Sequence, residues 1–102
     1  MSTLSASDVK KIVVACDAGM GSSVMLAGTL KRQLKNTGVT VEHAPVSAIP
    51  ADADLILTQQ SLAERARAAA PGKPVVAFQI FLGDPAVNKV VKAVKEGGTI
   101  DV

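Results

Sequence analysis

The stretch "KIVVACDAGMGSSVMLAGTLKRQL", Lys11 to Leu34, constrains the fold more than any other part of the chain. Its start, "KIVVAC", is apolar on consecutive positions and rich in β-branched residues. That pattern belongs to a strand covered on both faces, as in a parallel sheet. A loop of small residues follows at once. Val24, Ala27, Leu30 and Leu34 then recur at helical spacing, with Ser22 or Ser23 as the expected N-cap and Gly38 as the expected stop. Strand, tight loop and helix make the repeating unit of α/β domains.

The rest of the chain continues that alternation. "VTVEHA", Val39 to Ala44, alternates apolar and polar residues and reads as an edge strand, whereas "DLILT", Asp54 to Thr58, reads as a buried one. Ser61 and Glu64 have the spacing of a capping box opening "LAERARAAA". Pro71 and Pro74 bracket a turn before "VVAFQI", Val75 to Ile80, the fourth strand. Asp84 is then expected to cap a helix with Pro85 at its first position, and Val87, Val90, Val91 and Val94 line one face before Gly97. The expected fold is α/β and Rossmann-like, a four-stranded parallel sheet flanked by helices and joined by right-handed crossovers. One domain over residues 11–96 is expected, between a flexible N-terminal segment, 1–10, and a flexible tail, 97–102.

Composition removes several classes of function. With 102 residues, 48 % of them hydrophobic, the chain can bury one core but not two. The net charge of +2 is spread along the sequence, and Phe78 and Phe81 are the only aromatics, so neither a basic patch nor a stacking platform for nucleic acid is expected. No apolar run approaches the ~18 to 20 residues of a membrane span, and "MSTLSASDVKK" lacks the apolar centre of a secretory signal, so a cytosolic domain without membrane insertion is expected. One cysteine cannot form an internal disulfide. With the single His43 it cannot supply a structural metal's four ligands either. If Cys16 has a task, thiol chemistry is that task.

Its setting supports one. A cysteine just before a helix N-terminus lies at the positive end of the helix dipole, and N–H groups of the turn can bond a thiolate there. Gly19 and Gly21 give the backbone the freedom to aim the N–H groups of Asp17, Ala18, Gly19, Met20, Gly21, Ser22 and Ser23 into one concavity, an anion nest of phosphoryl size. Ser22 and Ser23 add hydroxyl donors. These parts predict a nucleophilic thiolate that attacks phosphorus within a preorganised cradle.

Three other loops resemble this one in part. A Walker A loop needs a lysine before its Ser/Thr, and none occurs here. A dinucleotide fingerprint wants a small residue near Val24, which fits poorly although Glu42 lies at a suitable distance for the acid. The cysteine loop of small tyrosine phosphatases closes on an arginine six residues after the cysteine, where this chain has Ser22. Without that guanidinium fork, phosphate-ester hydrolysis lacks its charge clamp. Asp84 could act as the general acid of such an enzyme, but "DP" reads first as a helix start.

"VVACDAGMGSS", followed by "MLAG.L" and "DLILT...L.ERA", resembles the enzyme IIB component of the bacterial phosphoenolpyruvate-dependent sugar phosphotransferase system, in its mannitol-type branch, over roughly residues 11–96. The resemblance implies a four-stranded parallel sheet and a relay in which Cys16 takes a phosphoryl group from a phosphohistidine on the IIA component. It would pass that group to a hexitol held by the membrane-embedded IIC component, at the inner face of the cell membrane. Residues Asp17 to Ser23 would form the phosphate-binding loop, with no cofactor and no metal, on a carrier expected to be monomeric in isolation. The alternatives are a small tyrosine-phosphatase-like enzyme, and a phosphocysteine module regulating transcription, though no DNA-binding domain accompanies it here. His43 reads as a solvent-facing edge residue. Lys31, Arg32 and Lys35 read as a solvated helix face or a guide for an acidic partner, and Met20 and Met25 as adaptable partner contacts, with the core as the alternative place for Met25.

Overall fold

A computed structural model describes residues 3–16, 21–79 and 84–101. In chain order the elements are β1 (Thr3–Ser5), β2 (Lys11–Cys16), α1 (Gly21–Gln33), β3 (Thr40–Pro45), β4 (Leu55–Gln59), α2 (Ala63–Ala69), β5 (Val75–Phe78), α3 (Pro85–Glu96) and β6 (Thr99–Asp101). Short 3-10 turns occupy Ala6–Asp8, Val46–Ala48 and Gln60–Leu62. The main sheet is parallel throughout, in the order β3-β2-β4-β5. It is the expected Rossmann-like arrangement, with β2 inside and β3 at an edge.

The sheet divides two hydrophobic layers because successive strand side chains point to opposite faces. Ile12, Val14, Leu55, Leu57, Val76 and Phe78 meet Leu26, Leu30, Leu34, Val87 and Val90 from α1 and α3. On the other face Val13, Ala15, Ile56 and Val75 meet Val46 and Ala66. Strands buried on both faces thus account for the unbroken apolar runs of β2 and β4. The exposed edge is handled differently. Thr40 N–H donates to Lys10 O, so by alternation the N–H positions of 41, 43 and 45 face outward, and Pro45 offers no donor there.

Four sequence expectations are corrected. Helix α1 begins at Gly21, so Ser22 and Ser23 lie in its first turn and neither is the N-cap. Val24 is 52 % exposed rather than core-facing. It precedes fully buried Leu30 by six residues, which places it about 120° round the helix, while Leu26, Ala27 and Leu34 stay within about 60°. The capping box at Ser61 and Glu64 does not form. A 3-10 turn takes Gln60–Leu62, and α2 starts after Leu62 without a side-chain cap.

The fourth correction concerns both ends. The segments read as loose pair with each other, β1 antiparallel to β6, with Leu4 opposite Ile100. Ala6, Val9 and Ile100 are buried against α3 and the main core. Gly97, at φ 71°, ends α3 in the left-handed conformation that reverses the chain into β6.

At the amino end of the sheet, Lys11 Nζ contacts Asp52 at 2.9 Å and Glu42 at 3.2 Å. Lys11 thereby holds Asp52 below the ordinary carboxylate range, and its own ammonium, bonded first to Asp52 and then to Glu42, titrates above the usual lysine value. Asp52's folded pKa is depressed, so its contribution is present above the unfolded value and fades as pH falls through the folded one. For Lys11 the raised pKa means a contribution present below its unfolded value and lost as pH rises through the folded one. The Asp52 side chain is 69 % exposed, so Asp52→Asn is expected to shift the urea midpoint only slightly at pH 7. That shift should vanish in about 1 M salt, and should also fade as pH falls through the lowered folded pKa of Asp52.

Candidate functional site

The parallel sheet places all its carboxyl ends on one side: Cys16 of β2, Pro45 of β3, Gln59 of β4 and Phe78 of β5. Ligands of open α/β sheets collect outside this end. Cys16 ends a central strand, and α1 starts at Gly21. A thirteen-residue helix therefore begins within five residues of the sulfur. Its unpaired N–H groups and dipole favour anions near its start.

The half-buried Cys16 is a free thiol in register with Pro45, and its Sγ–H donates to Ala44 O at 3.8 Å. That contact exists only while the sulfur carries its proton, so ionisation or substitution frees the sulfur from the β3 side. Asp17, Ala18, Gly19 and Met20, four of the predicted loop residues, lie outside the described residues, as do the side chains of Gly21, Ser22 and Ser23.

Sequence reasoning missed Thr58. It is fully buried, and its Oγ1 donates to the carbonyl of Ala15 at 3.0 Å, one residue before the cysteine. The only available signal was a hydroxyl at the end of the otherwise apolar "LILT".

The remaining candidates separate from the sulfur. Asp84 is 5 % exposed; its Oδ1 accepts from Ala86 N–H and its Oδ2 from Gln79 N–H, both at 2.8 Å. It is the cap expected from sequence, and its carboxylate is engaged by backbone. Glu42 pairs with Lys11 at the opposite end of β2 from Cys16. His43 is exposed on β3, opposite Val14. Met25 is 63 % exposed, which excludes it from the core, and Lys31, Arg32 and Lys35 are exposed as well. A groove of about 870 Å³ between α3, β5 and β6 is lined by Val76, Ala77, Lys89, Ala93 and Ile100, and not by Cys16. Its size does not make it the site, since the lone thiol lies outside it. Among the described residues no helix is long and apolar enough to cross a membrane.

Comparison with known proteins agrees with this arrangement. Residues 11–98 match the family described as "PTS system, Lactose/Cellobiose specific IIB subunit". The chain belongs to this family of phosphotransferase-system IIB domains. It is 41 % identical over 93 residues to the mannitol-specific EIICBA component of Buchnera aphidicola, covering 88 % of this chain and 15 % of that protein. The mannitol-specific EIICB component of Bacillus subtilis is 35 % identical over 97 residues, covering 93 % and 20 %. The cryptic mannitol-specific EIICB component of Escherichia coli is 40 % identical over 86 residues, covering 82 % and 18 %. The chain spans a fifth or less of the length of these relatives, in which a IIB part is fused to IIC. A flavodoxin-like domain from Synechococcus aligns at TM-score 0.44 and 19 % identity, over 85 % of this chain and 74 % of that one. The strand order, and not this loose likeness, defines the fold.

Proposed function

We propose that the chain is a phosphoryl carrier of a sugar phosphotransferase system, and that Cys16 carries the group from a phosphohistidine of a IIA component to a hexitol, mannitol, bound by a IIC component. The observation that supports this best is the position of the lone cysteine, at the carboxyl end of a central parallel strand and directly ahead of a helix start. The relatives' names favour mannitol over the sugars in the family description, because they rest on 35–41 % identity across most of the chain.

The two transfers balance as in-line substitutions. The Cys16 thiolate attacks phosphorus, an S–P bond forms, and the N–P bond of phosphohistidine breaks with its electron pair returning to the imidazole. The hexitol oxygen then attacks the same phosphorus, the S–P bond breaks and the thiolate is regenerated, while the hydroxyl proton leaves to a base. In this reading the N–H groups of residues 17–23 hold the equatorial oxygens through both steps. Neutral donors, with Ser22 where a phosphatase has arginine, stabilise the group without activating water against it. The work takes place at the cytoplasmic face of the membrane, where IIC presents its sugar.

Partner docking is assigned to the exposed face of α1. Val24 and Met25 are its exposed apolar residues, and Lys31 and Arg32 lie further along the same helix. Apolar contact next to a basic flank suits a partner with an acidic rim. Reversing both charges with Lys31→Glu and Arg32→Glu is expected to slow transfer from IIA about tenfold at low salt. The deficit should shrink near 0.5 M salt, read as initial rates. Equal rates at low salt would place docking elsewhere.

Intact mass tests the reading directly. Incubated with phosphoenolpyruvate, the general phosphotransferase proteins and a mannitol-type IIA, the wild type should gain one phosphoryl group. Adding IIC membranes and mannitol should remove it. No gain, from a donor that phosphorylates a control IIB, would overturn the carrier function.

A further inference from the structure

We infer that Thr58 is a positioning residue for Cys16, holding the strand end that presents the sulfur; the role in transfer rests on the carrier function proposed above. The β2–β4 register runs Ile12–Leu55, Val13–Ile56, Val14–Leu57 and Ala15–Thr58, and goes no further. At the carboxyl end of β2, Cys16 lies one residue beyond that register. On the β3 side its register partner is Pro45, and its thiol contact there is a long one, 3.8 Å to Ala44 O. Beyond the backbone ladder, the Thr58 hydroxyl adds a side-chain tie from β4 at this end, donating to Ala15 O at 3.0 Å.

The bond acts on the peptide that joins Ala15 to Cys16. A carbonyl held from the side of β4 fixes the plane of that peptide, because the amide cannot twist. The plane in turn sets the direction of the Cys16 Cα–Cβ bond. Thr58 is fully buried, so water does not compete for its donor. Its methyl packs in the same layer as Ala15 and Ile56, whose strand faces it shares. Hydroxyl and methyl therefore have separable tasks, and two substitutions separate them.

Thr58→Val keeps the shape and removes the donor; Thr58→Ser keeps the donor and removes the methyl. Packing alone predicts that the serine variant suffers more. Positioning predicts the opposite order in transfer. With Thr58→Val, kcat for phosphoryl transfer from IIA is expected to fall about tenfold with KM within twofold, while Thr58→Ser stays within about twofold of wild type. Amide hydrogen exchange by NMR should show the Cys16 N–H exchanging faster in the valine variant, with Ile12 to Val14 unchanged and the serine variant like wild type. Unchanged exchange at Cys16, unchanged kcat in the valine variant, or equal losses of kcat in both variants would overturn the positioning role. The exchange measurement needs no donor protein. If wild type accepts no phosphoryl group, the carrier reading fails, and exchange at Cys16 still decides whether Thr58 holds the strand end.

Discussion

Cys16→Ser is expected to accept no measurable phosphoryl group from a IIA donor and to melt within about two degrees of the wild type. The chemical part follows from ionisation. A thiol yields an appreciable thiolate near neutral pH, whereas a serine hydroxyl does not, and nothing described near residue 16 supplies a base to remove its proton. Losing the nucleophile of a covalent relay lowers the rate by at least about three orders of magnitude. The structural part follows from the surroundings. Cys16 is half-buried, and its one described side-chain bond is the long contact to Ala44 O, which a hydroxyl replaces without leaving a polar group stranded. Intact mass and a thermal melt on the same sample read both parts. A folded serine variant that still gains a phosphoryl group would move the acceptor elsewhere, with exposed His43 as the first place to look by peptide mapping.

What the sequence discloses of this fold depends on how local the determining interactions are. The apolar runs of β2 and β4 announce a doubly covered sheet because burial on both faces removes any need for polar residues along the strand. Edge strand β3 is legible for the converse reason. The β1–β6 ribbon is not, since each strand is three residues long and its stability comes from pairing across almost the whole chain, with Ile100 as the buried anchor. The misread starts of α1 and α2 have different causes. Cap rules describe a helix entered from extended chain, whereas α2 grows out of a 3-10 turn, and α1 starts at a glycine before the serines.

The candidate site divides in the same way. Cys16 stands out because a lone thiol followed by a run of small residues is a local pattern. Thr58 does not, because its significance is a bond to a residue 43 positions away, created by strand register alone. Val24 and Met25 look in sequence like part of an amphipathic helix. Only the actual orientation of α1 shows them as surface, where they become available to a partner.

Asp84→Ala is expected to destabilise the domain by about 3 kcal/mol. The carboxylate accepts from Ala86 N–H, capping α3, and from Gln79 N–H at the exit of β5, so one buried group fastens both ends of the connection. Losing an N-cap costs about 1 kcal/mol, and losing the Gln79 N–H bond to a charged acceptor costs about 2 more. For a domain of this size the melting temperature should fall by roughly 12–20 °C. Asp84→Asn keeps one carbonyl oxygen for one of the two N–H groups, so its loss should be about half as large. The same pair of variants separates the cap from the general acid that a phosphatase mechanism would require. A cap predicts that folded Asp84→Asn, assayed well below its melting point, carries phosphoryl groups at near wild-type rate. An acid predicts the reverse, wild-type stability with collapsed turnover, and that result would return the phosphatase reading to first place.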